Sequence, residues 1–296
     1  MSPILQHTLA ASVSLHGIGV HTGQTVTATL SPAPVGGGIA FLRTDVPGRD
    51  GRIPARADRV CDTRLGTTVG NRAGVTVSTI EHLMAAFHAM GVDNALVTVD
   101  GPEIPIMDGS SRPFVEAVDA AGRRAQQARR RYIQILETVA VEDGDKRAAL
   151  VPADAFEMAI EIRFDDPAVG RQRFDAAIDD AGFRDLLAPC RTFGFRRDVE
   201  ALAAAGLARG GSLDNVVVID EGVVLNPEGL RHPDEFVRHK AIDAVGDLYL
   251  LGAPIIGRFE GLRTGHALNN ALVRTVLATP AAWRYAAAPE RLARVV

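Results

Sequence analysis

The sequence predicts an α+β protein in which one unit of sheet and helix is used twice. Three observations carry this. Strand- and turn-forming segments give way to apolar helices before Gly122, and the same succession starts again at Tyr132. Leu30-Ser-Pro-Ala33 and Leu150-Val-Pro-Ala153 occupy the same place in the two successions. With 296 residues, 47% apolar and 23% charged, the chain can bury two ordinary cores, and disordered or collagen-like classes are excluded.

The elements follow in order. Thr25 to Leu30 alternates as a half-buried strand does, and Ser31-Pro-Ala-Pro34 with Val35-Gly-Gly-Gly38 makes a turn-rich link to Ile39-Ala-Phe-Leu42. Gly17-Ile-Gly-Val-His-Thr-Gly23 lacks the Lys-Ser/Thr ending of a phosphate loop and reads as a tight hairpin turn. Ser78 to Met90 is predicted as a helix, with Ser78 as N-cap and Gly91 as stop. Ala95 to Asp100 is a strand, and Glu103 to Ser110 is a structural turn at the seam between the units. Ser111-Arg-Pro113 opens a second helix with Pro113 in its first turn. Gly122 to Arg131 is basic without an apolar period. It reads as a linker, dividing the chain into domains 1–124 and 132–296 joined by 125–131.

In the second succession Tyr132 to Val141, Arg147 to Val151 and Phe156 to Phe164 are strands. A long apolar helix, a strand and a closing helix from His266 to Leu277 complete it. Residues 191–225 look like an insertion, with a short helix at Asp198 to Ala205, then Gly210-Gly211 and an apolar strand. Such an insertion beside a seam forms a lid or channel, or is a surface excursion.

Charge and cysteine use narrow the function. A net charge of −4 gives no general attraction to nucleic acid. Cys61 and Cys190 stand alone, which excludes a disulfide framework and any all-cysteine metal site and suits a reducing cytosol. No stretch reaches the roughly 18 apolar residues of a spanning helix. The N-terminus has no basic start and its apolar run is broken by His7, Ser12 and Ser14, so no signal peptide is expected and the protein is expected to be cytoplasmic.

Three polar clusters stand out. On the helix predicted from Asp234 to Leu251, with His239 at zero, Asp243 falls at roughly 40°, Asp247 at roughly 80° and Lys240 at roughly 100°. The rest of the circumference is apolar, so the helix is buried on most sides. Its polar stripe suits either solvent-facing Asp–His and Asp–Lys pairs or a divalent cation held by imidazole and carboxylate at i, i+4. Glu81-His82 is the second cluster. Glu81 lies three residues after Ser78, as in a capping box, and an adjacent acid–imidazole pair is also what a metal hydrolase uses. The third, Arg263-Thr-Gly-His-Ala-Leu-Asn-Asn270, is an ordinary helix start that also brings His266 and two asparagines together.

Taken together, GIGVHTG at 17–23, TIEHLMAA at 79–86, EIPIMDGSS at 103–111, RTFGF at 191–195, HKAIDAVGDLYLLG at 239–252 and GHALNNAL at 265–272 resemble one family closely. It is the zinc-dependent UDP-3-O-acyl-N-acetylglucosamine deacetylases of lipid A biosynthesis, and the resemblance covers almost the whole chain. It implies two facing β-α-α-β two-layer sandwiches, each with an inserted element. It also implies Zn²⁺ held by His82, His239 and Asp243, the same ligands suiting Fe²⁺, with a fourth position left for water. Glu81 is implied as general base, His266 as the cation that protonates the departing amine, Asp247 as its partner and Thr192 as donor to the oxyanion.

The same resemblance puts Lys240 near the substrate's polar head and Phe164 and Arg263 near its nucleotide diphosphate. The 191–225 insertion becomes a passage for the 3-O-acyl chain, with Phe193, Val199, Leu202, Ala208 and Val216 as walls and Arg196 where an apolar side chain is expected. His21 is given a structural or supporting part. The implied partner is a UDP-linked acyl amino sugar, with no nucleic acid, no membrane span and a monomeric chain. Arg129, Arg130 and Arg131 suit a solvated linker or peripheral contact with anionic lipid, and the missing apolar period favours the linker. A zinc amidase acting on another acylated sugar and a non-catalytic nucleotide-sugar or lipid binder are the rival readings. The joint presence of a base, an acid and three ligands speaks against a mere binder.

Overall fold

In a computed structural model, which describes residues 4–48 and 50–287, two mixed sheets are built on the same strand plan. The first unit contributes β1 (Leu5–Leu9), β2 (Val13–Ile18), β3 (Thr25–Pro32), β4 (Ile39–Arg43), β5 (Arg52–Pro54), β6 (Val60–Asp62), β7 (Thr68–Gly70), β8 (Thr76–Val77), α1 (Glu81–Ala89), β9 (Ala95–Val99) and α2 (Arg112–Ala121). After β10 (Arg123–Arg129) come β11 (Tyr132–Ile135), β12 (Val139–Asp143), β13 (Lys146–Val151), β14 (Phe156–Arg163), β15 (Arg171–Ala177) and a single turn, α3 (Asp180–Gly182). The chain then forms β16 (Phe193–Phe195), α4 (Val199–Ala204), β17 (Val217–Asp220), β18 (Val223–Val224), α5 (Glu235–Tyr249), β19 (Ile255–Leu262), α6 (His266–Ala278) and β20 (Trp283–Ala286).

The first sheet runs β2-β3-β9-β4-β5, and β12-β13-β19-β14-β15 repeats that order. The directions match as well: β3 and β13 meet β9 and β19 antiparallel, and β4 and β14 meet them parallel. Strands such as β3 and β14 alternate buried and half-buried positions, as β14 does from Phe156 to Ile162, so each sheet offers one apolar face. Helix α2 packs on β2, α5 on β14 and β15, and α6 on β12 and β13, while α1 lies along α5. The helices therefore meet between the sheets, over a core that includes Leu83, Phe87, Phe236, Ile242 and Val245. Small three-stranded sheets, β6-β7-β8 and β16-β17-β18, are set apart from the two main ones.

Three predicted elements differ. Residues 123–129 are a strand paired antiparallel with β1, not a linker. Arg130 is no solvated linker residue either, because its guanidinium donates to Asp93 at 2.8 Å. The segment Tyr132 to Val141 is broken into β11 and β12. Helix α1 begins at Glu81, so there is no capping box at Ser78; that hydroxyl donates to the Pro102 carbonyl instead. Thr79, at φ +56, interrupts the backbone just before the helix. The outermost residues of both predicted domains, 1–3 and 288–296, lie outside the described residues. Among the described residues no helix is long and apolar enough to cross a membrane.

Candidate metal-dependent active site

Helices α1 and α5 carry the central groups. They approach closely because α5 has Gly246 at the crossing, where a Cβ would lie 2.0 Å from the Glu81 carbonyl oxygen. The crossing brings His82 from one helix against His239 and Asp243 from the other. Their ligand atoms lie within 4.8 Å of one another, and all three residues are buried. The His82 and His239 Nε2 atoms stand 3.5 and 3.3 Å from Asp243 Oδ1. His239 Nδ1–H donates to the Cys190 carbonyl at 3.3 Å, which leaves its Nε2 lone pair facing Asp243.

The charge states suit a cation. Burial, with Lys240 and His82 helping and Asp243 opposing, takes the His239 pKa down to about 3, so its ring is neutral. Burial works against the Asp243 carboxylate, but the Lys240 cation beside it prevails and Asp243 is held ionised, well below the usual range. A neutral nitrogen lone pair aimed at a carboxylate oxygen is repulsive unless a cation lies between them. Two imidazoles and one carboxylate are a donor set that fits a catalytic divalent metal with an open position. Lys240 Nζ donates to the other Asp243 oxygen at 2.6 Å.

Glu81 and His266 flank this cluster, both within 4.8 Å of Asp243. Glu81 has its pKa raised, chiefly by burial, with Asp243 and Asp247 adding to it and His266 and His82 opposing. His266, at the start of α6, is pushed the other way. Burial lowers its pKa, but the Asp247 carboxylate outweighs that and the group rises to about 9. Its Nδ1–H donates to Asp247 Oδ2 at 2.9 Å, and Asn269 donates to the same oxygen at 2.9 Å. The arrangement is therefore a protonated imidazole and a carboxylate on either side of a candidate metal position.

The groups face a cavity of about 960 Å³. Glu81, His82, Thr192, His239, Lys240, Asp243 and His266 all line it, as do Phe164, Phe193, Leu202, Ala208, Val216, Arg263 and His21. Val199 does not: its side chain is turned outward and the residue is 49% exposed. Phe164 packs against Phe193 and Phe195, with ring centroids 5.6 and 5.8 Å apart, so it belongs to the aromatic wall begun by the insertion. Arg263 is paired with Asp145 of the β12–β13 turn. Arg196 does not enter the cavity wall, because it pairs with Asp220 across the small sheet at 3.0 Å.

The insertion crosses the seam. Gly210 N–H donates to the Val20 carbonyl at 3.0 Å, and a Cβ on Gly210 would meet the Gly19 carbonyl at 2.3 Å. Thr192 N–H donates to the Gly109 carbonyl at 2.8 Å, fixing the proposed oxyanion donor to the Glu103–Ser110 turn. Buried Arg191 and Glu235 tie the segment of Thr192, just before β16, to the start of α5, the Arg191 Nε donating to the Glu235 carboxylate at 3.0 Å. Sequence reasoning missed three supporting residues. Glu103 accepts from Thr79, His21 and Thr22 and so anchors the hairpin turn beside the cavity. Thr67 and Gly246 are the other two, and neither carries a spacing signal.

The Gly246 contact gives a direct expectation. Gly246→Ala forces α1 away from α5 and is expected to cost at least about 1–3 kcal/mol, as overpacked cores do. Thermal unfolding together with metal content checks it. An unchanged melting temperature would show that the helices can part without cost.

Residues 6–278 match the family described as UDP-3-O-acyl N-acetylglycosamine deacetylase (LpxC). The UDP-3-O-acyl-N-acetylglucosamine deacetylase of Phenylobacterium zucineum is 62% identical over 293 residues, covering 99% of this chain and 100% of that protein. Proteins of the same name from Myxococcus xanthus and from Neisseria meningitidis serogroup C (strain FAM18) are 51% and 49% identical, covering 97% and 95% of this chain and 90% and 92% of their own lengths. The chain belongs to the UDP-3-O-acyl N-acetylglycosamine deacetylase family.

Proposed function

We propose that the chain is a zinc-dependent amidohydrolase that removes the acetyl group from the 2-amino position of a UDP-3-O-acyl-N-acetylglucosamine, in the assembly of lipid A. Water is consumed, the C–N bond breaks, and acetate and the free amine leave. The observation that carries this reading is the opposed pair, Glu81 and His266, set on either side of His82, His239 and Asp243 in one cavity. Held by those three ligands, Zn²⁺ would polarise the acetyl carbonyl and acidify a water. Glu81 takes the proton of the attacking water, and the Thr192 hydroxyl donates to the developing oxyanion. His266, kept cationic by Asp247, stabilises that negative charge and then gives its proton to the departing amine. Lys240 meets the substrate's polar head.

Phe193, Leu202, Ala208 and Val216 are read as walls of the acyl passage; Val199, turned outward, is not carried over as one. Arg263 is read as a contact of the diphosphate. Phe164, packed against Phe193 and Phe195, is read as a contact of the nucleotide diphosphate as well. The two-unit reading accounts for a site at the seam, since α1 comes from one unit and α5 and α6 from the other. A monomer in the cytoplasm, taking an amphiphilic substrate without spanning the membrane, fits this reading.

Incubation with the UDP-linked acyl sugar and analysis for acetate and free amine tests the reaction. An intact acetamide here, with amide hydrolysis of a different acylated sugar, would support the rival amidase, and tight binding without turnover would support a binder. Chelation is expected to abolish acetate release, and added Zn²⁺ to restore it at about one metal per chain. Elemental analysis distinguishes zinc from iron. Full activity after exhaustive chelation would overturn the metal-dependent mechanism.

A further inference from the structure

Thr67 touches both sides of the acid–base pair, although it does not itself line the cavity. It lies 1% exposed in the loop between β6 and β7. Its backbone N–H donates to Glu81 Oε2 at 2.9 Å, and its hydroxyl donates to Asp247 Oδ1 at 2.5 Å. The same hydroxyl lies 3.4 Å from His266 Nδ1. The loop is threaded tightly against the base. Leu65 has φ +58, and a Cβ on Gly66 would lie 3.1 Å from Glu81 Oε1.

The hydroxyl has one proton, and the shorter contact assigns it to Asp247 Oδ1. The two oxygens of Asp247 are then divided. Oδ2 receives His266 and Asn269, and Oδ1 receives Thr67. Donors on both oxygens fix the plane of the carboxylate, and with it the direction of the imidazole it holds. Glu81, Asp247 and His266 come from three helices, and Thr67 is a fourth point that reaches all three. We propose that Thr67 is a positioning residue that locks the Asp247–His266 pair and Glu81 in the relative geometry needed for base and acid to act on one carbonyl. The inference rests on the acid–base reading above.

Thr67→Val removes the hydroxyl at nearly constant shape and leaves Asp247 Oδ1 buried without its donor. It is expected to lower kcat by about 10–100-fold with KM and metal content unchanged, as loss of outer hydrogen-bonding partners does. Thr67→Ser keeps the hydroxyl and is expected to restore most of the rate. In proton NMR, the downfield Nδ1–H resonance of His266 should persist in the wild type and in Thr67→Ser, and shift or vanish in Thr67→Val. Should the valine variant not fold, Thr67→Ala against Thr67→Ser carries the same comparison. A valine variant with wild-type kcat, or a serine variant as impaired as valine, would overturn the role. The resonance is read without turnover, so a wild type that left the acetamide intact would remove the proposed reaction and still test Thr67.

Discussion

Glu81→Gln is expected to lower kcat by about 10²–10⁴-fold, the usual cost of losing a positioned general base. Glutamine is chosen because it preserves the packing. Glu81 is buried at the start of α1, and its Oε2 accepts from Thr67 N–H at 2.9 Å, a bond the amide oxygen of glutamine can also accept. What glutamine cannot do is take a proton from water. Metal content should stay near one per chain and KM should change little, since the three ligands and the cavity walls are untouched. Thermal stability should hold or rise, because burial already makes the ionised carboxylate costly there. Steady-state kinetics with metal analysis of the same sample reads all three. A loss below tenfold, with the metal retained, would move the base elsewhere.

The wild-type acid limb follows from the same group. Glu81 must be ionised to accept a proton, and burial raises its pKa above the ordinary 4.5. Activity is therefore lost as pH falls through that raised value. Glu81→Gln should abolish this limb along with most of the rate.

Much of this site was legible in the sequence because α5 is a regular helix. Fixed rotation per residue put His239, Asp243 and Asp247 on one stripe before any contact was known. The motif order, matched to a family, then joined His82 and His266 to that stripe. The supporting groups were less visible for physical reasons. Thr67 acts through one backbone N–H and one hydroxyl in a loop, and neither leaves a periodic trace. Gly246 looks like a helix weakness until α1 is laid across it. Residues 123–129 were misread because the half-buried positions of that strand are Gln126 and Ala128, so the apolar alternation that marks a strand is absent. Thr79 shows the limit of local rules, since a β-branched residue at φ +56 is held there by a hydrogen bond to Glu103, distant in sequence.

His266→Ala is expected to cost about 10²–10⁴-fold in kcat, and Asp247→Asn tells why. In the wild type the imidazole must carry the proton it gives to the amine. Its pKa is about 9, burial lowering it and Asp247 more than compensating, so activity is lost as pH rises through that region. A divalent cation beside Asp243 repels the imidazolium, which puts the alkaline limb at or below about 9. Asparagine keeps the shape and can still accept from Thr67, but it removes the negative charge facing His266 Nδ1. Burial then dominates and the ring becomes neutral at lower pH. The limb should move acidward by about two units, the size of a lost buried charge partner. About two units above the displaced limb the variant should resemble His266→Ala, and at acid pH it should recover part of its rate while His266→Ala does not. That crossing of the two pH profiles separates a proton donor held by a carboxylate from a ring that merely fills space. Parallel profiles, with Asp247→Asn equally impaired at every pH, would mean that Asp247 orients His266 without setting its charge.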